Sequence, residues 1–255
     1  MTTFAVAGFQ GRMGQAVCEE IWNSDGTVAL GAITHHSPLS WDVEGLEPTT
    51  AEKLDDCFDV LIDFTSPESM LAHLDACVRL KKPMVIGTTG YSVEEKGAVE
   101  NAAQQIPIFM ASNMSIGVNI LIQLAQKAAA WLPEYDAEIL ELHHRHKKDA
   151  PSGTALSLGE AIAKGKGVSL SDHMQVGRSG MSAGRPESEI GIAVMRGGSV
   201  AGEHSAVFLG DRDRLTITHE AFSRDIFAQG AVKAGLWLKS QPVGLYGMMD
   251  LINLS

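Results

Sequence analysis

In the first half of this 255-residue chain, apolar runs of strand length alternate with helical patterns, and few folds satisfy that rhythm. The strand-like runs are residues 3–7, 28–33, 59–64, 83–87 and 107–111, and residues 67–80 and 92–104 read as helices. Strands that are apolar at consecutive positions need cover on both faces, which helical crossovers supply when the strands run parallel. The expected fold is α/β, a doubly wound parallel sheet. Its ligands belong at the carboxyl ends of the strands.

The first run, Thr3-Phe4-Ala5-Val6-Ala7, passes straight into Gly8-Phe9-Gln10-Gly11-Arg12-Met13-Gly14, after which Ala16, Val17, Glu20 and Ile21 keep helical spacing. Glycines at a strand-to-helix turn let a pyrophosphate approach the backbone and rest on the helix start. The spacing is GxxGxxG, not GxGxxG, so the strand before and the helix after carry the reading of a Rossmann-type dinucleotide domain. Gly8, Phe9, Gln10, Gly11, Arg12 and Met13 are the candidate phosphate-side residues, with Arg12 a cation beside the phosphates. Other strand ends add Gly87, Thr88 and Thr89, then Ala111, Ser112, Asn113 and Met114. The second strand ends in Thr34-His35-His36, with no carboxylate to hold a ribose or repel a 2′-phosphate, and His35 is a further candidate contact.

After about residue 113 the pattern changes. A long helix is followed by residues 137–143, and later by 188–196, 200–209 and 214–220, which read as longer, partly alternating strands. The tight links at Gly197-Gly198-Ser199 and Gly210-Asp211-Arg212-Asp213 suggest hairpins in an open or mixed sheet. Residues 164–186, rich in Gly and Ser, read as a mobile loop, and 224–239 as a helix returning to the first domain. The expected organisation is a dinucleotide-binding domain at 1–113, completed by 224–255, and an α+β substrate and oligomerisation domain at 114–223. The apolar strands of the second domain call for cover by a symmetric oligomer.

That second half holds His143-His144-Arg145-His146-Lys147-Lys148-Asp149-Ala150-Pro151-Ser152-Gly153-Thr154-Ala155. Ser152 and Thr154 are capping types, Pro151 suits a helix entry, and the residues from Ala155 read helical, so the N–H groups of Ser152, Gly153 and Thr154 should point outward unpaired. Beside a cation cluster they make a site for a small anion. Taken separately, the basic run reads as a solvated surface and Pro-Ser-Gly-Thr as a turn with a cap. His143, His144 and His146 could also ligate zinc, but neither an HExxH pattern nor a nearby Cys supports a metal.

The net charge of −11 argues against a nucleic-acid surface, which needs a basic face. Small molecules are the expected partners. Cys18, Cys57 and Cys77 are odd in number and far apart, which excludes a disulfide framework and fits a reducing cytoplasm. The most apolar stretch, residues 116–132, carries Asn119, Gln123, Gln126 and Lys127, which suits a buried helix and not a membrane span.

The run Glu141 to Ala155 is similar to the signature HHxxKxDAPSGTA, the Gly8 turn to a cofactor loop, Gly87-Thr88-Thr89-Gly90 to a nicotinamide-side loop, and residues 111–118 to an Asn-x-Ser-x-Gly-Val segment. Over essentially its whole length the chain resembles the 4-hydroxy-tetrahydrodipicolinate reductase (dihydrodipicolinate reductase) family of diaminopimelate and lysine biosynthesis. The resemblance implies an NADPH- or NADH-dependent reductase of a cyclic dicarboxylate, usually a homotetramer. It implies His143 as an acid/base group and Lys147 as the proton donor, with His144, Ser152, Gly153 and Thr154 around the substrate carboxylates. In an extended strand His143 and Lys147 would lie ~13 Å apart at ~3.3 Å per residue, so the chain must turn between them. Phe9 stands where a small residue is usual in the family. Two rival readings stay open: another two-domain dehydrogenase of amino-acid metabolism, and a non-catalytic dinucleotide sensor.

Overall fold

A computed structural model describes residues 1–24, 26–34, 43, 45–181 and 184–252. In chain order the elements are β1 (Thr2–Ala7), α1 (Arg12–Trp22), β2 (Val28–Thr34), β3 (Val60–Asp63), α2 (Pro67–Leu80), β4 (Met84–Ile86), α3 (Val93–Ala102) and β5 (Pro107–Met110). There follow α4 (Ile116–Trp131), β6 (Asp136–His143), α5 (Gly153–Lys166), α6 (Leu170–His173), β7 (Met174–Val176), β8 (Ile190–Arg196), β9 (Gly202–Leu209) and β10 (Arg214–Ala221). The chain ends with α7 (Asp225–Leu238), β11 (Gly244–Tyr246) and α8 (Met248–Ile252). These elements form two units, residues 1–116 with 224–255, and residues 117–223.

The first unit is built on a six-stranded sheet in the order β11-β5-β4-β3-β1-β2, every pairing parallel. Alternate strand residues serve opposite faces, as the pleat requires. Phe4, Val6, Val60, Ile62, Val85 and Phe109 pack with α1 and α7, whereas Ala5, Ala7, Leu61, Met84, Ile86 and Ile108 pack with α2 and α3. Both sets are buried, which is why the strands read as unbroken apolar runs. The helices start where local chemistry dictates. Ser66 caps α2 with Pro67 at its first position, and Ser92 and Glu95 form a reciprocal capping box on α3.

In the Gly8 turn the bulk of Phe9 is resolved by direction: its ring is fully buried in the α1/α7 core, an arrangement worth roughly 2 kcal/mol for a side chain of this kind. Gly8 adopts φ +75°, and a Cβ on Gly14 would lie 2.2 Å from the Gly8 carbonyl oxygen and 2.6 Å from Phe9 Cα. Helix α1 therefore abuts the turn closely.

The second unit holds a five-stranded mixed sheet, β10-β9-β6-β8-β7, with α4 and α5 residues packed on one face against Ala137, Ile139, Ile190, Ile192, Ala206 and Phe208. The link at 210–213 closes a hairpin between β9 and β10, as expected. The link at 197–199 does not. It carries the chain over β6, which lies between β8 and β9, parallel to the first and antiparallel to the second. Residues 164–186 also differ from the expected mobile loop. Helix α5 runs to Lys166, whose Nζ donates to the Tyr135 and Pro133 carbonyls at 2.7 and 3.0 Å, and α6 and edge strand β7 follow. Arg178 then pairs with Glu138 at 2.7 Å and Arg185 with Asp136 at 2.7 Å, which ties the segment to β6.

Two glycine replacements test how tightly these backbones are set. Gly14→Ala should cost about 2 kcal/mol through overpacking, whereas Gly97→Ala, in α3 with nothing within 4 Å of the added methyl, should be neutral or stabilising by up to about 1 kcal/mol. Urea midpoints of the two variants compare them directly, and a Gly14→Ala protein as stable as Gly97→Ala would contradict the close approach.

Candidate active site

Strand β6 presents Ala137, Ile139, Glu141 and His143 to the α5 side, so a carboxylate and an imidazole follow two apolar core positions into a buried setting. Glu141 is 1 % exposed, and a charge so placed needs partners on every lone pair. It has them. Arg196, opposite His143 on β8, donates to both carboxylate oxygens at 3.0 Å, the Ser152 N–H donates to Oε1 at 2.8 Å, and His143 Nδ1 lies 2.5 Å from Oε2. Burial pushes the Glu141 carboxyl up, but the Arg196 pair, the Ser152 N–H and His143 more than reverse this, so it sits below the usual carboxylate range. His143 is lowered from its ordinary value, chiefly by burial and against the pull of Glu141. A neutral His143 then keeps its proton on Nδ1, facing Glu141, and leaves Nε2 as the free nitrogen. Gly202 makes room for that nitrogen, since a Cβ there would lie 3.0 Å from it.

The same carboxylate fixes the start of α5. Ser152 caps the helix, accepting from the Ala155 N–H at 3.1 Å, and its hydroxyl also meets His204 Nε2 at 3.0 Å. This corrects one expectation: the Ser152 N–H faces inward to Glu141, and its buried side chain is held by the cap and by His204. Gly153 and Thr154 form the outer part of the helix start, Gly153 exposed with nothing within 4 Å of where a Cβ would stand. The turn that His143 and Lys147 require is present. Strand β6 ends at His143, the His144 N–H donates to the Val200 carbonyl at 2.8 Å, and the Lys147 N–H donates back to the His144 carbonyl at 3.1 Å. Lys147 Nζ lies 2.9 Å from Asp149, whose carboxyl is held low by that contact. The rings of His144 and His146 stand 6.3 Å apart.

Glu141, His143 and His204 offer ligand atoms within 4.8 Å of one another, which is metal-like spacing. The Arg196 guanidinium, bonded to both Glu141 oxygens, occupies the flank a cation would need. The cluster is a hydrogen-bonded network, and among these residues Glu141, Arg196, Gly202 and His204 were not singled out from sequence. A Glu two residues before His143, on the buried phase of an alternating strand, is the one signal that was available.

In the first unit the Gly8 turn enters α1 through Gly11, an N-cap with no side-chain hydrogen bond, so the first N–H groups of α1 face outward as a phosphate cradle requires. Arg12 is exposed at this helix start, and Gln10 and Met13 are partly buried. The Gly87 to Gly90 turn follows β4, with Thr89 exposed, but Thr88 is buried and its hydroxyl donates to Asp63 at 2.7 Å, so its side chain is turned inward. After β5, Ala111, Ser112 and Asn113 lie on the turn, where Asn113 Oδ1 accepts from the Ser115 N–H at 2.9 Å; the Met114 side chain is buried in the core. His35 and His36 lie outside the described residues.

A parallel doubly wound sheet with a glycine cradle at a strand end, joined in one chain to a mixed-sheet unit carrying a carboxylate-held histidine and a lysine, defines a two-domain dinucleotide-dependent oxidoreductase. Comparison with known proteins narrows the class. Residues 2–114 match the N-terminal and residues 117–252 the C-terminal domain of dihydrodipicolinate reductase. The chain is 42 % identical over its whole length to the whole 4-hydroxy-tetrahydrodipicolinate reductase of Syntrophotalea carbinolica, and 43 % identical to that of Gluconacetobacter diazotrophicus over 98 % of this chain and 96 % of the relative. The dipicolinate-bound dihydrodipicolinate reductase of a Paenisporosarcina species superposes with a TM-score of 0.81 at 26 % identity, over 99 % of each chain. The chain belongs to the dihydrodipicolinate reductase family.

The buried histidines make stability depend on pH. Burial, followed by the charge of His143, lowers His204 from 6.5 to about 4, so the unfolded chain takes up its proton first as pH falls. The contribution of His204 is complete above pH 6.5 and is lost between 6.5 and about 4, on the order of 3 kcal/mol at ~1.4 kcal/mol per pH unit. His204→Gln, whose amide can still meet Ser152, should unfold with a flatter pH dependence across this window in denaturant titrations. An unchanged slope would contradict the buried neutral histidine.

Proposed function

We propose that this chain reduces 4-hydroxy-tetrahydrodipicolinate, the substrate its relatives' names give, to tetrahydrodipicolinate with a nicotinamide dinucleotide. The observation that carries the reading is the meeting, in the second unit, of a helix start with Gly153 exposed and Thr154 half-buried, a turn bearing His144 and Lys147, and His143 held by Glu141. A cyclic dicarboxylate needs two anion sites and a proton source, and this stretch offers all three. In the first unit Gly8, Gly11 and the α1 start would hold the pyrophosphate, and the turns at 87–90 and 111–114 the nicotinamide side. When bound, the coenzyme supplies the hydride.

The residues divide the remaining work. Loss of the 4-hydroxyl as water leaves an unsaturated cyclic imine; hydride arrival on it then puts negative charge on the ring nitrogen side, and a positioned N–H donor must neutralise it. His143 turns its Nδ1 proton toward Glu141 and is lowered by burial, which leaves its free nitrogen an acceptor near neutral pH. That favours Lys147 as the donor, with His143 orienting substrate and managing the returning proton. Asp149, held as a carboxylate, keeps the Lys147 ammonium in place. A passive dinucleotide sensor would have no use for these groups.

The coenzyme reading extends to NADPH as well as NADH. Thr34 closes β2 without a carboxylate, and Arg12 stands at the phosphate turn, so a 2′-phosphate meets no like charge from either. For assembly we propose a homotetramer in the cytoplasm, formed through the sheet of the second unit. Its second face carries Leu140 and Met195, 46 % and 60 % exposed, and apolar faces of this kind are ordinarily covered.

Three measurements test this reading. Lys147→Ala should lower kcat by about a hundred-fold or more and weaken binding of the substrate analogue dipicolinate, while coenzyme titration by fluorescence hardly changes. Loss of coenzyme affinity in that variant would contradict the assignment. NADPH should turn over at least as well as NADH below neutral pH, and a strong NADH preference there would count against it. Light scattering at micromolar protein should give a tetramer's mass, and a monomer's mass would refute the assembly.

A further inference from the structure

Beneath the coenzyme turns of the first unit lies a second buried carboxylate, on which the proposed chemistry does not draw. Asp63, the last residue of β3, is 0 % exposed and collects four partners. Oδ1 accepts from the Thr65 N–H at 3.0 Å, the Thr65 hydroxyl at 2.7 Å and the Thr88 hydroxyl at 2.7 Å. Oδ2 lies 2.8 Å from Nδ1 of His73, a residue of α2 that is itself 1 % exposed. The other ring nitrogen of His73 meets the hydroxyl of Thr34, at the end of β2, at 2.7 Å.

Each partner belongs to, or braces, one of the strand-end turns. Thr88 lies in the turn after β4. Thr65 follows β3, and its methyl carbon lies where a Cβ on Gly8 would come within 2.8 Å of it. The Thr34 carbonyl accepts the Gly8 N–H at 3.1 Å. One carboxylate and one imidazole thus join the ends of β2, β3 and β4 at the edge where the coenzyme is proposed to lie. For stability alone, an apolar packing of similar volume would serve as well or better, because burying an acid and a histidine carries a desolvation cost.

We infer that Asp63 and His73 are positioning residues for the dinucleotide: His73 orients the Asp63 carboxylate, which sets the turns at 65 and 88 against the Gly8 turn, and so acts on coenzyme affinity and not on proton transfer. The inference rests on the coenzyme reading above. In a coenzyme turn held this way, the geometry of the N–H groups is fixed before the ligand arrives, and less ordering is left for binding to complete.

The test uses the full chain and three variants, with NADPH and NADH binding followed by nicotinamide fluorescence and dipicolinate binding by calorimetry. H73L removes the hydrogen bond to Thr34 and the close approach to the Asp63 carboxylate, and should weaken both coenzymes by about ten-fold, ~1.4 kcal/mol. H73N keeps a donor where Nδ1 stood and should hold affinity within about three-fold of the unaltered protein. Dipicolinate affinity, and kcat at saturating coenzyme, should stay within about two-fold in both. Should H73L fail to fold, D63N, which exchanges one oxygen for an amide nitrogen, carries the same expectation as H73L. Folded H73L or D63N that binds coenzyme as the unaltered protein does would overturn the inference. So would dipicolinate affinity falling in step with coenzyme affinity, which marks general loosening, or H73N as weak as H73L. An unaltered protein that binds dipicolinate but neither coenzyme would instead overturn the reading beneath it.

Discussion

A carboxylate with 1 % exposure cannot stand alone in a sheet, and the arrangement of the second unit follows from meeting the needs of Glu141. Its two oxygens take a guanidinium from β8, a backbone N–H from the first turn leading into α5, and a ring nitrogen from its own strand. Each bond fixes something different. Arg196 locks the neighbouring strand at the level of His143, Ser152 sets where α5 begins, and His143 is left with one orientation and one free nitrogen. The His143 imidazole and the start of α5, for which acid/base and anion-binding roles are proposed above, are thereby referred to a single group.

The first unit solves a similar problem with Asp63, but there the carboxylate gathers loops and not a strand and a helix. Both acids sit at or near the end of a strand, where the ladder stops supplying partners and side chains must take over. Threonines and a histidine complete the set around Asp63, and a guanidinium completes the one around Glu141. Neither arrangement can lose one member without leaving a buried charge short of a partner.

How much of this a reader of the sequence could see depends on the range of the signal. The parallel sheet was legible because burial on both faces leaves unbroken apolar runs, and the helix at residues 67–80 was legible because its start is marked locally by Ser66 and Pro67. The crossing of β8 and β9 over β6 was not, since a tight glycine link is equally compatible with a hairpin and pairing is decided by which strand fills the gap. The 164–186 segment read as a loop because its glycines outweighed Lys166, Arg178 and Arg185, whose long-range pairs hold it. Within the site, His143, Lys147 and the α5 start share one continuous stretch and could be read together. Glu141 could have been added from strand periodicity. Arg196, Gly202 and His204 reach it only through sheet register, and Thr88 and Ser152 could not be known to face inward until Asp63 and Glu141 were in place.

The central claim is that Glu141 holds His143 in one tautomer, and histidine nitrogen-15 resonances report it directly. In neutral solution the account predicts a pyrrole-like, protonated Nδ1 and a pyridine-like Nε2 for His143, a pattern that Glu141→Gln weakens or scrambles. A protonated Nε2 with a bare Nδ1, or a spectrum indifferent to the loss of the carboxylate, would contradict it.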